Sequence, residues 1–132
     1  MNPELKKFDD AAAQLTQPGQ PFALDSVEIG GVSYRNYAAM PANLGAYFQV
    51  MLKHADKDFA VYLDERYTFA QGYQHAAEFA TALVQRFGVG RGDRVAILSR
   101  NNPQWMMSYI AATSLGAVAV PMNGWWTTEE LD

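Results

Sequence analysis

The strongest constraint on the fold is an apolar segment, a capped helix and a second apolar segment near the carboxyl end of the chain. Val95–Leu98 is a short continuous apolar run, which is typical of a parallel strand covered on both faces. The asparagine at 101 or at 102 can cap the helix that follows, and Pro103 suits its first turn. Ala117–Pro121 then supplies a second strand. Strand, helix and strand together predict a βαβ unit with parallel strands, which begins an α/β sheet.

Residues 68–87 are predicted to form a longer helix. Thr68 and Gln71 have the spacing of a capping box, in which each side chain accepts from the other residue's backbone N–H. Apolar side chains then recur on one helical face until Gly88 ends the helix: Tyr73, Ala76, Ala80, Leu83 or Val84, and Phe87.

Two β-hairpins are predicted before this helix. Phe22–Tyr37 is rich in Val, Ile and Tyr and is broken by Gly30-Gly31, which suits a tight turn. Phe59–Leu63 and Tyr67–Phe69 are β-rich runs, and the polar residues Asp64–Arg66 are predicted to connect them. Each hairpin therefore pairs strands that are neighbours in the sequence.

Two more helices are predicted from their start and stop signals. Asn2 can cap the first, whose apolar positions recur until Pro18-Gly19. The second follows Pro41–Asn43 and carries an apolar stripe of Leu44, Tyr47 or Phe48, Met51 and Leu52. We therefore expect a helical arm with a β-hairpin leader over residues 1–40, and the first part of a larger domain over residues 41–132.

Composition excludes several functional classes. The chain has 132 residues, of which 49% are hydrophobic, so it is long enough for a domain with a core. Its formal net charge is -4 and its ten basic residues are scattered, which argues against nucleic acid as a partner. It has no cysteine, hence no disulfide, thiolate zinc site or thiol nucleophile. Without a signal-peptide core or a run of about 20 apolar residues, a cytoplasmic protein is expected.

The residues that invite a chemical role have structural explanations. The glycine run Gly88–Gly92 leaves a helix and enters a strand, whereas a phosphate-binding loop leaves a strand and opens a helix. His54 and His75 lie in different predicted helices and form no metal-binding pair. Ser99 has no nucleophile-elbow sequence around it. Acidic pairs occupy helix or turn positions where acids are expected: Asp9-Asp10, Asp64-Glu65 and Glu129-Glu130. We therefore predict no catalytic, cofactor-binding or metal-binding residue here.

The adjacent indoles of Trp125-Trp126 follow Asn123-Gly124 in a predicted loop. Two neighbouring tryptophans bury much apolar surface only if something covers them. A further domain, or a pocket that holds an apolar ligand, would supply that cover. Packing is the favoured role, because aromatic residues serve cores more often than ligands.

The end of the chain predicts a fragment. Thr127 and Glu130 have capping-box spacing and start a helix, but the chain stops at Asp132 before a second turn. Two parallel strands cannot cover both faces of themselves, and sheets of this class normally have several more. The alternative is a free-standing noncatalytic interaction module or a gene remnant, which would have to cover its open sheet edge and Trp125-Trp126.

Four segments resemble the start of the AMP-forming adenylate superfamily, which includes acyl-CoA synthetases, firefly luciferases and peptide-synthetase adenylation domains. They are Tyr67-Thr68-Phe69, Gly88 to Ala96, Asn101 to Trp105, and Leu115 to Asn123, and the resemblance extends over residues 41–132. The leader, Phe22 to Pro41, resembles that of bacterial fatty-acid-type CoA ligases. Asn123 to Trp126 is similar to the same branch.

This resemblance implies the beginning of the large N-terminal domain of an adenylate-forming enzyme, with β-hairpins, one βαβ unit and an incomplete sheet. The parent enzyme would join a carboxylic acid, in this branch a fatty acid, to ATP with Mg²⁺ and pass the acyl group to CoA. In the family, the phosphate loop, the nucleotide contacts and the catalytic lysine follow the point where this sequence ends, so none is assigned here. The fragment alone is expected neither to bind ATP tightly nor to turn over. Transfer to a carrier protein and the oligomeric state stay open.

Overall fold

The computed structural model describes residues 3–131. The chain forms two compact units, residues 1–41 and residues 42–132. The predicted cap at Asn2 lies outside the described residues.

The first unit consists of one helix and one β-hairpin. Helix α1 spans Pro3–Leu15, and strands β1 (Leu24–Ile29) and β2 (Val32–Tyr37) pair antiparallel. Gly30 and Gly31 form the turn with φ angles of 59° and 78°, a left-handed conformation that suits glycine. Every residue of the two strands is exposed, so this unit has no core of its own within the described residues.

The second unit is a mixed α/β structure whose elements follow one another with short connections. In chain order they are α2 (Leu44–Phe48), a 3₁₀ helix (Gln49–His54), β3 (Asp58–Tyr62), β4 (Glu65–Thr68), α3 (Phe69–Phe87), β5 (Arg94–Ser99), α4 (Pro103–Ser114), β6 (Val118–Asn123) and α5 (Thr128–Leu131). Strands β3 and β4 form a hairpin, and β5 and β6 form a two-stranded parallel sheet.

The predicted βαβ unit is confirmed. Strands β5 and β6 pair in parallel from Arg94 opposite Val118 to Ser99 opposite Asn123, and α4 contacts both strands. Asn102 is the cap, because its Oδ1 accepts a hydrogen bond of 2.8 Å from the backbone N–H of Trp105. This cap fixes the start of α4 directly after the end of β5.

The capping box of α3 is also confirmed. The Gln71 N–H donates to Thr68 Oγ1 at 3.2 Å, and the Thr68 N–H donates to Gln71 Oε1 at 2.9 Å. Gly88 ends the helix with a φ of 67°. Because Thr68 is both the last residue of β4 and the cap of α3, hairpin and helix are joined without a loop.

The predicted connection of the second hairpin is wrong. Leu63 and Asp64 form the turn, Glu65 already pairs with Tyr62, and Phe69 belongs to α3 rather than to a strand. Leu63 adopts a φ of 51°, which usually calls for glycine or asparagine, so its side chain gives no turn signal in the sequence.

The second predicted helix is divided. Its α-helical part ends at Phe48, and Gln49–His54 continues as a 3₁₀ helix with Met51 as its buried residue. A segment of six residues makes about two turns in either type of helix, which is too short for the sequence pattern to separate them.

Helix α4 lies at the centre of the second unit and contacts α2, α3 and the strands β3, β5 and β6. The core cluster contains Met51, Ala76, Met107 and Ile110, against which half-buried rings pack: Phe48, Phe59, Tyr67, Phe69 and Tyr73. The core is thus built between helices and the β3–β4 hairpin. Within the described residues, no helix has the length and apolar character to cross a membrane.

Candidate functional site

The carboxyl ends of β5 and β6 form a polar corner of the second unit. Ser99 and Asn123 end the two strands side by side in the parallel register. In open α/β sheets, ligands bind at this edge, because the loops that leave the strands diverge there. We call the residues that follow the two strand ends, Arg100 and Asn101 together with Gly124 and Trp125, the strand-end corner.

Gly124 allows the two strand ends to approach closely. A Cβ at this position would lie 2.9 Å from the carbonyl carbon and oxygen of Ser99. The next residues form a tight turn, in which the Trp125 N–H donates to Asn123 Oδ1 at 3.1 Å. The Trp126 N–H donates to the backbone oxygen of Asn123 at 3.0 Å. Any side chain on Gly124 would push this turn away from β5.

In the strand-end corner, the positively charged side chain of Arg100 lies on the face of the Trp125 indole ring. The guanidinium carbon of Arg100 is 4.0 Å from the centroid of the Trp125 ring, a cation–π contact. A cavity of about 500 Å³ adjoins it, lined by Tyr62, Trp105 and the two strand ends. The lining offers one cation, amide groups and aromatic faces, and contains no carboxylate. Such a surface suits binding rather than proton transfer.

Both tryptophans keep much exposed surface within the described residues. Trp125 is 73% exposed and Trp126 is 43% exposed. Sequence reasoning missed the partner of Trp125, because Arg100 lies on the other strand end and no local spacing links the two residues. The sequence does not show how closely the two strand ends approach, and the contact between Arg100 and Trp125 depends on that approach.

Ser99 has hydrogen bonds but no neighbouring base. Its Oγ donates to the backbone oxygen of Arg100 at 3.2 Å and accepts from Asn102 Nδ2 at 3.1 Å. His75 lies on α3, with Nδ1 3.5 Å from Glu78 Oε2, and the His54 ring lies against Phe69. The structure does not bring either histidine to Ser99, which therefore acts as part of the α4 cap.

Two backbone amides of the glycine run donate hydrogen bonds, one within the turn and one to the connection between α4 and β6. The Gly90 N–H donates to Asp93 Oδ2 at 2.8 Å, and the Gly92 N–H donates to the Gly116 oxygen at 3.0 Å. Within residues 3–131, no three potential metal ligands among His, Asp and Glu come together. The described residues thus offer neither a free amide nest at this loop nor a cluster for a divalent cation.

Two side chains within residues 3–131 have clearly shifted pKa values. The pKa of Tyr67 is raised above 10.0, chiefly because its hydroxyl donates to Glu65 Oε2 at 2.6 Å. The pKa of Glu129 is lowered below 4.5, chiefly by a hydrogen bond from its own backbone N–H and then by the Thr127 side chain. Both pKa values move further from neutral pH, so neither group has the pKa that efficient proton transfer at neutral pH requires.

The sequence model of the AMP-binding enzyme family matches residues 47–132. A 4-hydroxybutyrate–CoA ligase 2 of Metallosphaera sedula is 32% identical over 105 residues, which cover 72% of this chain and 19% of the relative. The medium/long-chain-fatty-acid–CoA ligase FadD6 of Mycobacterium tuberculosis is 32% identical over 83 residues, or 62% of this chain and 14% of the relative. Other matches are named for aromatic acids, 4-coumarate and anthranilate.

Among solved structures, the N-terminal domain of FACL13 from Mycobacterium tuberculosis superposes with a TM-score of 0.62 and 30% identity. The match covers 69% of this chain and 24% of that domain chain. The chain thus spans about a fifth or less of the length of the two curated relatives, 19% and 14%. From the family match and the shared fold, the chain belongs to the AMP-binding enzyme family and has the mixed α/β fold of the N-terminal region of adenylate-forming enzymes.

Proposed function

We propose that this chain is the amino-terminal part of a longer ATP-dependent acid–CoA ligase. The parent enzyme converts a carboxylic acid and ATP to an acyl-adenylate and pyrophosphate, and then transfers the acyl group to the thiol of CoA with release of AMP. The observation that carries this proposal is the family match over residues 47–132, together with relatives that are named as acid–CoA ligases. A cytoplasmic location accords with the absence of cysteine, since such an enzyme needs no oxidising compartment.

A fatty acid is the substrate class that we propose. The support is the resemblance of Phe22 to Pro41 and of Asn123 to Trp126 to fatty-acid-type CoA ligases, together with the relative named for medium and long chains. Other relatives are named for a short hydroxy acid and for aromatic acids. The identity of the acid substrate therefore has to be measured.

The residues of this chain act as scaffold in that proposal. ATP and CoA would be the nucleotides of the parent enzyme, with Mg²⁺ as the cation on the triphosphate. The described residues do not fit that triphosphate and cation, because the Gly90 and Gly92 amides already donate to protein acceptors and no three potential ligands meet within residues 3–131. We therefore assign the nucleotide site to segments outside this chain and the support of those segments to the α3–α4 layer and the β5–β6 sheet.

The test begins with the coding DNA beyond the codon for Asp132. The encoded protein would be expressed whole and assayed for acid-dependent exchange of pyrophosphate into ATP, with a panel of fatty, hydroxy and aromatic acids. CoA thioesters would be detected by mass spectrometry. The chain of 132 residues, assayed alone, is the matched control and is expected to show no exchange.

The possible results test different parts of the proposal. Exchange and thioester formation with fatty acids support all of it, whereas a preference for aromatic acids keeps the ligase and overturns the fatty-acid assignment. Exchange without a CoA thioester points to a carrier-protein acceptor. A stop codon directly after Asp132, with no exchange by the chain, would leave a noncatalytic module.

A further inference from the structure

Asn123 combines a sequence and an environment that favour one spontaneous reaction. The chain has six asparagines, and Asn123 is the one that glycine follows. The others precede Pro3, Tyr37, Leu44, Asn102 and Pro103. Without a Cβ on the following residue, the backbone nitrogen of Gly124 meets little steric hindrance near the asparagine side chain.

From this juxtaposition we infer that Asn123 is a site of deamidation through a cyclic imide. The Gly124 backbone nitrogen attacks Asn123 Cγ, a nitrogen–Cγ bond forms, and the Cγ–Nδ2 bond breaks with loss of ammonia, which carries away the amide proton. Water then opens the five-membered imide at either carbonyl. The products are aspartate and isoaspartate, and no oxidant or reductant is involved.

The turn after β6 holds the reacting carbonyl in place. The Trp125 N–H donates to Asn123 Oδ1 at 3.1 Å, which ties the side-chain oxygen to the backbone of the turn. The same hydrogen bond withdraws electron density from the Cγ carbonyl and makes its carbon a better target for a nitrogen nucleophile. Asn123 is exposed, so water reaches the imide once it has formed.

The fold itself imposes this labile pair. A side chain at residue 124 would collide with the Ser99 backbone at 2.9 Å, so glycine is required there. Asn123 in turn supplies the oxygen that accepts from the Trp125 N–H. The two residues that build the turn are thus the two that react.

The products place a negative charge in the strand-end corner. Asn123 and Arg100 line the same cavity, which contains no carboxylate before the reaction. A new carboxylate there competes with the Trp125 indole for the guanidinium, because a charged partner attracts it more strongly than a ring face does. Deamidation therefore loosens the Arg100–Trp125 contact.

The experiment is to incubate the folded chain at mildly alkaline pH and to follow peptides that contain residues 123 and 124 by chromatography and mass spectrometry. We expect a peptide whose mass reflects the exchange of an amide for a carboxyl group, resolved into two isomers, while peptides with Asn43 or Asn101 keep their mass. A parallel incubation in denaturant gives the rate of the unfolded sequence.

Three results would overturn the inference: an intact Asn123 in folded chain while the denatured chain reacts, aspartate as the single isomer, or equal reaction at Asn101. Asn123→Asp serves as the reference product and should shift the tryptophan emission of the folded chain. Trp105 lines the same cavity and can respond as well, so in a Trp125→Phe background the shift should shrink, and a shift of unchanged size would exclude the loosened Arg100–Trp125 contact.

Discussion

Two glycines of the second unit are required by their neighbours, and neither has a positive φ. Gly72 lies within α3, where a Cβ would meet the Phe59 ring at 2.5 Å. Gly124 lies after β6, where a Cβ would meet the Ser99 backbone at 2.9 Å. Each glycine lets two elements approach more closely than any side chain would permit. The sequence reveals these positions only as glycines in or near regular elements, because the partner is remote along the chain.

Gly72→Ala should destabilise the fold, although alanine is the better helix former. The helix gains about 1 kcal/mol from the substitution, whereas overpacking against Phe59 costs about 1–3 kcal/mol. The expected net change is a loss of about 1 kcal/mol in the free energy of unfolding, measured by urea denaturation.

The contact with Phe59 can be tested by a double-mutant cycle. In a Phe59→Ala background the clash is absent, so Gly72→Ala should raise the free energy of unfolding. A loss of equal size in both backgrounds would contradict the close-approach explanation.

At the scale of elements, the boundaries with side-chain signals could be predicted and those without could not. The ends of α3 are predicted from Thr68, Gln71 and Gly88. The cap of α4 was expected at one of two neighbouring asparagines, and Asn102 is the one that caps it. Leu63 takes a glycine-like conformation without glycine's sequence signal. Of the strand-end corner, Trp125 stands out in the sequence, but its contact with Arg100 depends on two strand ends that meet in space. Local sequence signals thus predict where helices begin and end, whereas the candidate site depends on residues that are brought together only in the folded structure.

Thr68→Ala should remove the capping box and cost about 1 kcal/mol of stability. The substitution removes Thr68 Oγ1, which accepts from the Gln71 N–H, whereas the backbone N–H of residue 68 can still donate to Gln71 Oε1. Urea denaturation gives the change, and circular dichroism reports any loss of helix.

The matched control is Thr81→Ala in the same helix. Thr81 is exposed and donates to the Ala77 oxygen, so it caps nothing and alanine is the better helix former there. Equal losses at Thr68 and Thr81 would argue that the cap contributes no stability.

The β3–β4 hairpin should weaken at high pH. The pKa of Tyr67 is raised, so the unfolded chain releases this proton first, and stability falls as pH rises from about 10 through the folded-state pKa. Below the unfolded-state value the contribution is fully present. NMR titration of the tyrosine ring signals measures the pKa.

Glu65→Gln supplies the control for this titration. The variant lacks the carboxylate that accepts from the Tyr67 hydroxyl, so the pKa of Tyr67 should fall toward its ordinary value. An unchanged Tyr67 pKa in this variant would refute the assigned cause.

At the scale of the whole molecule, the β5–β6 sheet is covered on one face. Helix α4 contacts both strands, and Ile97 on the covered face is 6% exposed. The other face presents Leu98, Val118 and Val120 at 49%, 50% and 36% exposure. Alternation along each strand places these three side chains on the same face in the parallel register. This uncovered face is an aggregation hazard for the chain when it is studied alone.

Leu98→Lys combined with Val120→Lys should keep the chain folded and reduce its self-association. Both side chains lie on the exposed face, and lysine replaces apolar contact with like-charge repulsion. Sedimentation velocity over a range of concentrations should show a shift toward monomer, and binding of a hydrophobic dye should fall.

Ile97→Lys, on the covered face, is the contrasting variant and should unfold the chain, since an unpaired charge would be buried. Unchanged self-association of the double-lysine variant would show that the chain associates through another surface.

Every strand of the described chain pairs with the strand that directly precedes or follows it: β1 with β2, β3 with β4, and β5 with β6. A protein emerges from the ribosome amino end first, at about 5–20 residues per second, and strands can pair once both have left the exit tunnel. The widest separation here is the single crossover through α4, between β5 and β6. Each sheet of this chain can therefore close during synthesis as soon as its second strand emerges.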